Sequence, residues 1–265
     1  MQTQNNSIFD FGAVWQDVRK LTDGAGFISH GMDHLDRVAR GASYFASMEN
    51  FDRVAMDTAY IAGLIHDLNR PKSESKDHAK SSEESARDFL RRFNCYGHED
   101  EILELVANHR QSNSRNISSV YTADKILEQM GAYLAFRGSI YIAEVDDFSG
   151  IDGLDLAESY VNMTRCRMDK FSAETFPQRL GKIHKYQMDW VNRFLDSLGK
   201  KDKWAIDLAF HCYERARSGE TMQTTEKIID EYEPTDLKNA EYKTEASRYL
   251  AMSPQAFCSE FIRSV

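Results

Sequence analysis

The sequence predicts an all-α protein. Apolar residues recur at three- and four-residue spacing along most of the chain, and no stretch of useful length alternates with period two. Only four prolines and fourteen glycines interrupt 265 residues, too few for a turn-rich β fold. A chain of this length buries a substantial core. The expected organisation is a helical core over residues 1–140 that carries the polar constellation described below, with a helical C-terminal extension over residues 141–265 packed on it.

In chain order, Asp33 to about Met48 reads as a helix with Val38, Ala42 and Phe45 on one face. "NFDRVAMDTAYIAGLIHD" is a second, more buried helix that ends in a histidine and an aspartate. The polar, proline-containing "LNRPKSESK" is a loop, and Asp77 is a suitable N-cap for "HAKSSEESARDFLRRF", whose inner face is Ala79, Ala86, Phe89, Leu90 and Phe93. "EDEILELVANHR" is a short helix with acidic residues in its first turn and Arg110 at its end, as the helix dipole favours. After the polar "QSNSRNISS", the run "VYTADKILEQMGAYLAF" reads as one helix with Val120, Leu127, Met130 and Leu134 inward. "SIYIAEVDDFSGIDGLD" follows neither period; "KIHKYQMDWVNRFLDSL", "KWAIDLAFHCYERA" and "LKNAEYKTEASRYLAM" are helical by spacing.

Composition narrows the function classes. Lys and Arg number 33 against 42 Asp and Glu, a formal net charge of −9, so a nucleic-acid polymer meets no overall attraction and is not expected as a partner. Cys95, Cys166, Cys212 and Cys258 form no Cys-x-x-Cys pair and read as reduced, structural thiols. "MQTQNNSIFDFG" lacks the basic start and apolar core of a signal peptide, and no run approaches the roughly 18 apolar residues of a membrane span. A cytoplasmic location without membrane attachment is expected.

The informative feature is a set of polar residues on apolar faces. In "AYIAGLIHDL", His66 and Asp67 close a segment that is otherwise driven into the core, although a carboxylate in apolar surroundings is costly without a partner. His34 stands four residues before Val38, on the same stripe; Asp124 stands four after Val120 and three before Leu127. His109 extends the stripe of Ile102, Leu105 and Val106, and His78 follows the N-cap Asp77. Taken singly, each has a structural reading: an inward imidazole bonded to a carbonyl, or an inward carboxylate paired with an arginine. Together they are all of metal-ligand type, and imidazole with carboxylate suits manganese, iron, zinc or nickel more than calcium.

Other motifs are weaker. His30 and His34 form an H-x-x-x-H pair, but no glutamate follows His30, which argues against a metalloprotease. No Gly-rich phosphate loop and no G-x-S-x-G elbow occurs. "EVDD" and "IDEYE" read as solvated faces, and Trp190, Trp204, Tyr186 and Phe194 as core, with lining of a pocket as the alternative.

The ordered set "HGMDHLDRVA", "AGLIHDLNR", "DHAKSSEESA", "ELVANHRQS" and "YTADKI", spanning Phe27 to Phe136, resembles the HD superfamily of metal-dependent phosphohydrolases. The resemblance implies an HD-domain helical bundle with additional C-terminal helices. It implies that His34, His66, Asp67 and Asp124 hold a first divalent ion and that His78 and His109 complete a second, with Asp67 bridging. One or two ions of Mn, Fe, Ni, Zn or Mg fit such a set. The expected catalytic residues are Asp67, His66 and Arg37; Arg70, Lys72, Arg110 and Lys125 are the candidate contacts to a small phosphorylated substrate, each with a solvated surface role as the alternative.

The activity implied is metal-assisted hydrolysis of a small phosphate ester, with a nucleotide or related compound as the first substrate class. The alternatives are a mixed-valent di-iron oxygenase acting on an inositol or phosphonate, and a ligand-sensing module without turnover. The C-terminal helices fit a lid or a homo-oligomer surface equally.

Overall fold

The computed structural model describes residues 9–50, 52–70, 78–93, 97–110, 118–145, 151–169, 176, 178–218 and 223–262. Among them every regular element is helical and no strand occurs, as the periodicity predicts. Contacts divide the described residues into two units, one drawn from 1–26, 32–71 and 77–124, the other from 27–31 and 125–265.

The first unit contains α1 (Phe11–Ala25), α2 (Met32–Asn50), α3 (Arg53–Ile65), α4 (His78–Leu90), α5 (Glu99–Ala107) and the short α6 (Ser119–Thr122). Helix α3 is its centre and packs on α1, α2, α5 and α6. Asp52 starts it by accepting the Val54 amide at 3.0 Å, and its residues from Asp57 to Ile65 are buried except Tyr60. The α2 face of Val38, Ala42 and Phe45 is buried, as expected. On α5 the inward set is Ile102, Leu103 and Val106; Leu105 is only half-buried, so the stripe is rotated by part of a turn from the one read in the sequence. The N-cap assigned to Asp77 lies outside the described residues.

Helix α1 was not anticipated. Its Asp10 cap accepts the Ala13 amide at 3.0 Å, and Val14 and Val18, one turn apart, are buried.

Helices α2 and α3 approach closely at Gly63. A Cβ on this residue would stand 2.7 Å from the Ala39 Cα and 2.9 Å from its amide nitrogen. Only a glycine lets the two backbones meet there.

The second unit contains α7 (Gly131–Glu144), α8 (Gly153–Met168), α9 (Gly181–Gly199), α10 (Lys203–Arg217), α11 (Thr225–Glu231), α12 (Leu237–Ala251) and α13 (Pro254–Ile262). Helix α7 packs on α8, α9, α10, α11 and α12, and every residue from Gly131 to Ile142 is buried. A helix covered on all sides has no polar face, which is why its C-terminal half showed no period.

The single helix read over residues 120–136 is in fact interrupted. After α6 the chain takes a π-helical turn, Ala123–Glu128; Met130 is extended and Gly131 restarts the helix at φ 78°. The apolar spacing runs through the break because Val120, Leu127, Met130 and Leu134 are buried on both sides of it. A Cβ on Gly131 would also lie 2.1 Å from Gln187 Oε1, whose amide donates to the Ile126 carbonyl at 3.1 Å.

Two substitutions test these positions. Gly131→Ala is expected to lower the denaturation midpoint, with about 1–2 kcal/mol from the left-handed backbone alone and more from Gln187. Gly63→Ala is expected to destabilise by about 1–3 kcal/mol through overpacking. Urea titration with an unchanged m value checks both.

Candidate metal centre

The first unit brings His34, His66, Asp67, His109 and Asp124 into one buried cluster. His34 is the third residue of α2, and Asp124 lies in the π-helical turn. His66 caps the C-terminus of α3 with Asp67 next to it, and His109 sits just beyond α5. The turn after the His-Asp pair is closed by Leu68 N–H on the Ile65 carbonyl at 3.3 Å, with Asn69 in the left-handed region at φ 63°. Each of the five is at most 8% exposed.

The donor atoms are near one another at distances too long for hydrogen bonds. Asp124 Oδ1 is 3.7 Å from His34 Nε2, Asp67 Oδ2 is 3.6 Å from His66 Nε2, and Asp67 Oδ1 is 3.5 Å from His109 Nε2. His34, His66 and Asp124 each offer a ligand atom, all within 4.8 Å of one another. Two atoms bound at about 2.1 Å to a shared ion stand about 3.0–3.4 Å apart at octahedral or tetrahedral angles, so these slightly longer spacings need little adjustment. The His66 ring centroid lies 5.3 Å from that of His34 and 5.1 Å from that of His109.

Hydrogen bonds fix which nitrogen faces inward. His66 Nδ1 is 2.7 Å from the Gly63 carbonyl, and His109 Nδ1 is 2.5 Å from the Val106 carbonyl. A carbonyl only accepts, so each Nδ1 carries a proton and each Nε2 is the nitrogen turned towards the cluster. This is the arrangement that prepares an imidazole for a metal. Among the described residues, His66 Nε2 is buried with no hydrogen-bond partner. Burial pushes the His66 pKa down to about 4; Asp67 and Asp124 act against that, while His109 and His34 add to it. His66 is therefore neutral at physiological pH, the form that binds metal. An orphaned lone pair, two buried carboxylates and fixed tautomers make this donor set fit a divalent cation.

The cationic candidates fall in different places. Arg70 donates to Asp67 Oδ2 at 2.9 Å with its side chain 9% exposed, so it holds the carboxylate. Arg37, in α2, and Lys125, in the π-helical turn, are buried, and Arg110, next after His109, is exposed. Lys72 lies outside the described residues. His78 opens α4, but its side chain also lies outside them. The sequence reading missed Gly63, which sets the approach of α2 and supplies the carbonyl for His66. A glycine within an apolar run facing another helix is the one signal it leaves.

Metal-free protein is expected to gain thermal stability on addition of Mn²⁺, by roughly 2.7 kcal/mol at a hundredfold excess over Kd. His66→Ala should abolish most of that gain; differential scanning calorimetry of both proteins with and without the ion checks it.

The comparisons agree with this geometry. Neither the curated proteins nor the solved structures offer a match to the chain. The HD domain family model matches residues 31–135, a span that includes every residue of the cluster. That family consists mostly of metal-dependent hydrolases that bind divalent ions. Residues 31–135 of this chain are an HD domain.

Proposed function

We propose that the protein is a metal-dependent phosphohydrolase acting on a small phosphate ester, a nucleotide or nucleotide-like compound being the first class to test. The observation that carries this is the buried set His34, His66, Asp67 and Asp124, in which His66 keeps an unpartnered, unprotonated Nε2. These residues would hold a divalent ion, which when bound would supply a water of lowered pKa and polarisation of a phosphoryl oxygen.

The chain's own groups do the rest. Gly63 and Val106 hold the imidazoles of His66 and His109 in the tautomer that points Nε2 inward. Arg70 orients Asp67 through its hydrogen bond to Oδ2. Arg37, buried one turn after His34, is the proposed cation for the charge that develops on the non-bridging oxygens, with Lys125, Lys72 and Arg110 as further phosphate contacts.

A second ion is favoured by one observation. The two oxygens of Asp67 face different imidazoles, Oδ2 towards His66 and Oδ1 towards His109, so Asp67 with His109 would also be available to hold it. His78 would be the remaining ligand. The same arrangement supports the di-iron oxygenase as a second reading.

Protein loaded with Mn²⁺ or Fe²⁺ and offered a panel of nucleotides and phosphomonoesters is expected to release phosphate, pyrophosphate or nucleoside. Asp124→Asn should reduce the rate by about 100-fold or more, since a lost ligand exceeds the effect of a lost outer-shell partner. Wild-type protein that releases nothing from the panel but consumes oxygen with an inositol or phosphonate contradicts the hydrolase and supports the oxygenase.

A further inference from the structure

The mark of His66, a buried polar atom with nothing to bond to, recurs in the second unit, at the seam between α10 and the turn that joins α11 to α12. Among the described residues, Trp204 Nε1 and His211 Nε2 on α10, Tyr232 Oη just after α11 and Asn239 Oδ1 in the first turn of α12 are buried and make no hydrogen bond. Trp204, Leu208 and His211 follow at spacings of four and three, so they share one face of α10. Trp204, Tyr232 and Asn239 are 8%, 3% and 0% exposed.

These side chains are held where they are. The His211 ring stands 5.0 Å from that of Tyr232, and Phe136 packs edge-on against Tyr232 with centroids 5.7 Å apart. The Tyr232 backbone is fixed as well: its N–H donates to the Ile228 and Ile229 carbonyls at 3.1 and 3.2 Å, and its carbonyl accepts from Lys243 Nζ at 2.6 Å. Trp204 lies 5.1 Å from the Tyr242 ring, and Lys238 Nζ stands 5.5 Å from its centroid, so the indole rests on the first two turns of α12, the stretch that carries Asn239. Asn239 Nδ2 donates to Thr235 Oγ1 at 3.1 Å, which leaves Oδ1 as the unmet acceptor.

The chemistry of the four atoms limits what completes them. An indole N–H only donates and an amide oxygen only accepts, so an occupant that serves both has to accept and to donate. Burial holds the Tyr232 phenol above its usual range and pushes the His211 imidazole down, with Arg215 adding to the latter, so both rings are neutral and neither offers a counter-charge to an ion. Rings already in contact leave space for a molecule of a few atoms only. Native cores leave few buried polar groups unbonded, and ordered water is the small neutral molecule that completes them.

We propose that this seam is a binding site for ordered water, held by Trp204 Nε1, His211 Nε2, Tyr232 Oη and Asn239 Oδ1, and that the bound water ties α10 to the α11–α12 turn.

The test pairs a high-resolution crystal structure of the full chain with urea titrations of wild type and Tyr232→Phe, a substitution that removes one oxygen and keeps the packed ring. The expected structure has water within about 3.2 Å of Tyr232 Oη and Asn239 Oδ1. Tyr232→Phe is expected to lower the urea midpoint at unchanged m value, with the folding equilibrium constant reduced about three- to tenfold, because a hydroxyl bonded to water is lost. In a dry seam the same substitution leaves the midpoint unchanged or raises it, since an unbonded hydroxyl is costly to bury; that result overturns the proposal even if water is seen. Density for a larger molecule, or direct hydrogen bonds among the four groups, also overturns it.

Discussion

The metal centre depends on the close approach of α2 and α3 at Gly63. Without a Cβ, Gly63 lets the backbone of α3 lie directly on Ala39 of α2. That contact sets the separation of two helices whose ends carry His34 and the His66–Asp67 pair. The same residue supplies the carbonyl that takes the His66 Nδ1 proton, so one glycine governs both the distance between the imidazoles and the tautomer of one of them. Dense packing leaves such a contact no room to adapt, and small displacements are passed along a rigid helix to the ligand atoms.

Around that contact the electrostatics are arranged for a cation. Asp67 and Asp124 are nearly inaccessible to water, and the imidazoles beside them hold their protons on the side away from the cluster wherever a carbonyl fixes them. Arg70 offsets part of the negative charge through Asp67 Oδ2. A buried carboxylate is expensive unless it is paired or bound to metal. Two of them facing imidazoles, of which His66 is neutral, define a site with a preference for positive charge, which is the physical basis of the proposed metallohydrolase.

Much of this was legible in the sequence, for a definite reason. In an amphipathic helix a misplaced polar residue is visible, so His34 one turn before Val38 and Asp124 between Val120 and Leu127 could be read from spacing, and all five are buried. The run before His66 likewise announced a helix ending in the core. What spacing could not reveal was any feature that depends on a partner surface. Gly63 gives no sign in the sequence of facing Ala39. The break at Gly131 was hidden because the apolar pattern continues across it, and the full extent of α7 was hidden because burial on all sides erases the period. The signal of helix α1 is confined to the Asp10 cap and the short stripe of Val14 and Val18. The loop position of Arg70 is visible in the sequence; that it also holds Asp67 depends on the turn at Asn69.

The most direct measurement is the metal content of gently purified protein by mass spectrometry, beside an Asp67→Ala control. One or two equivalents of a divalent transition metal in the wild type, lost in the control, is the result this account predicts. Wild-type protein that carries none and takes none up, or a control that retains the same amount, contradicts it.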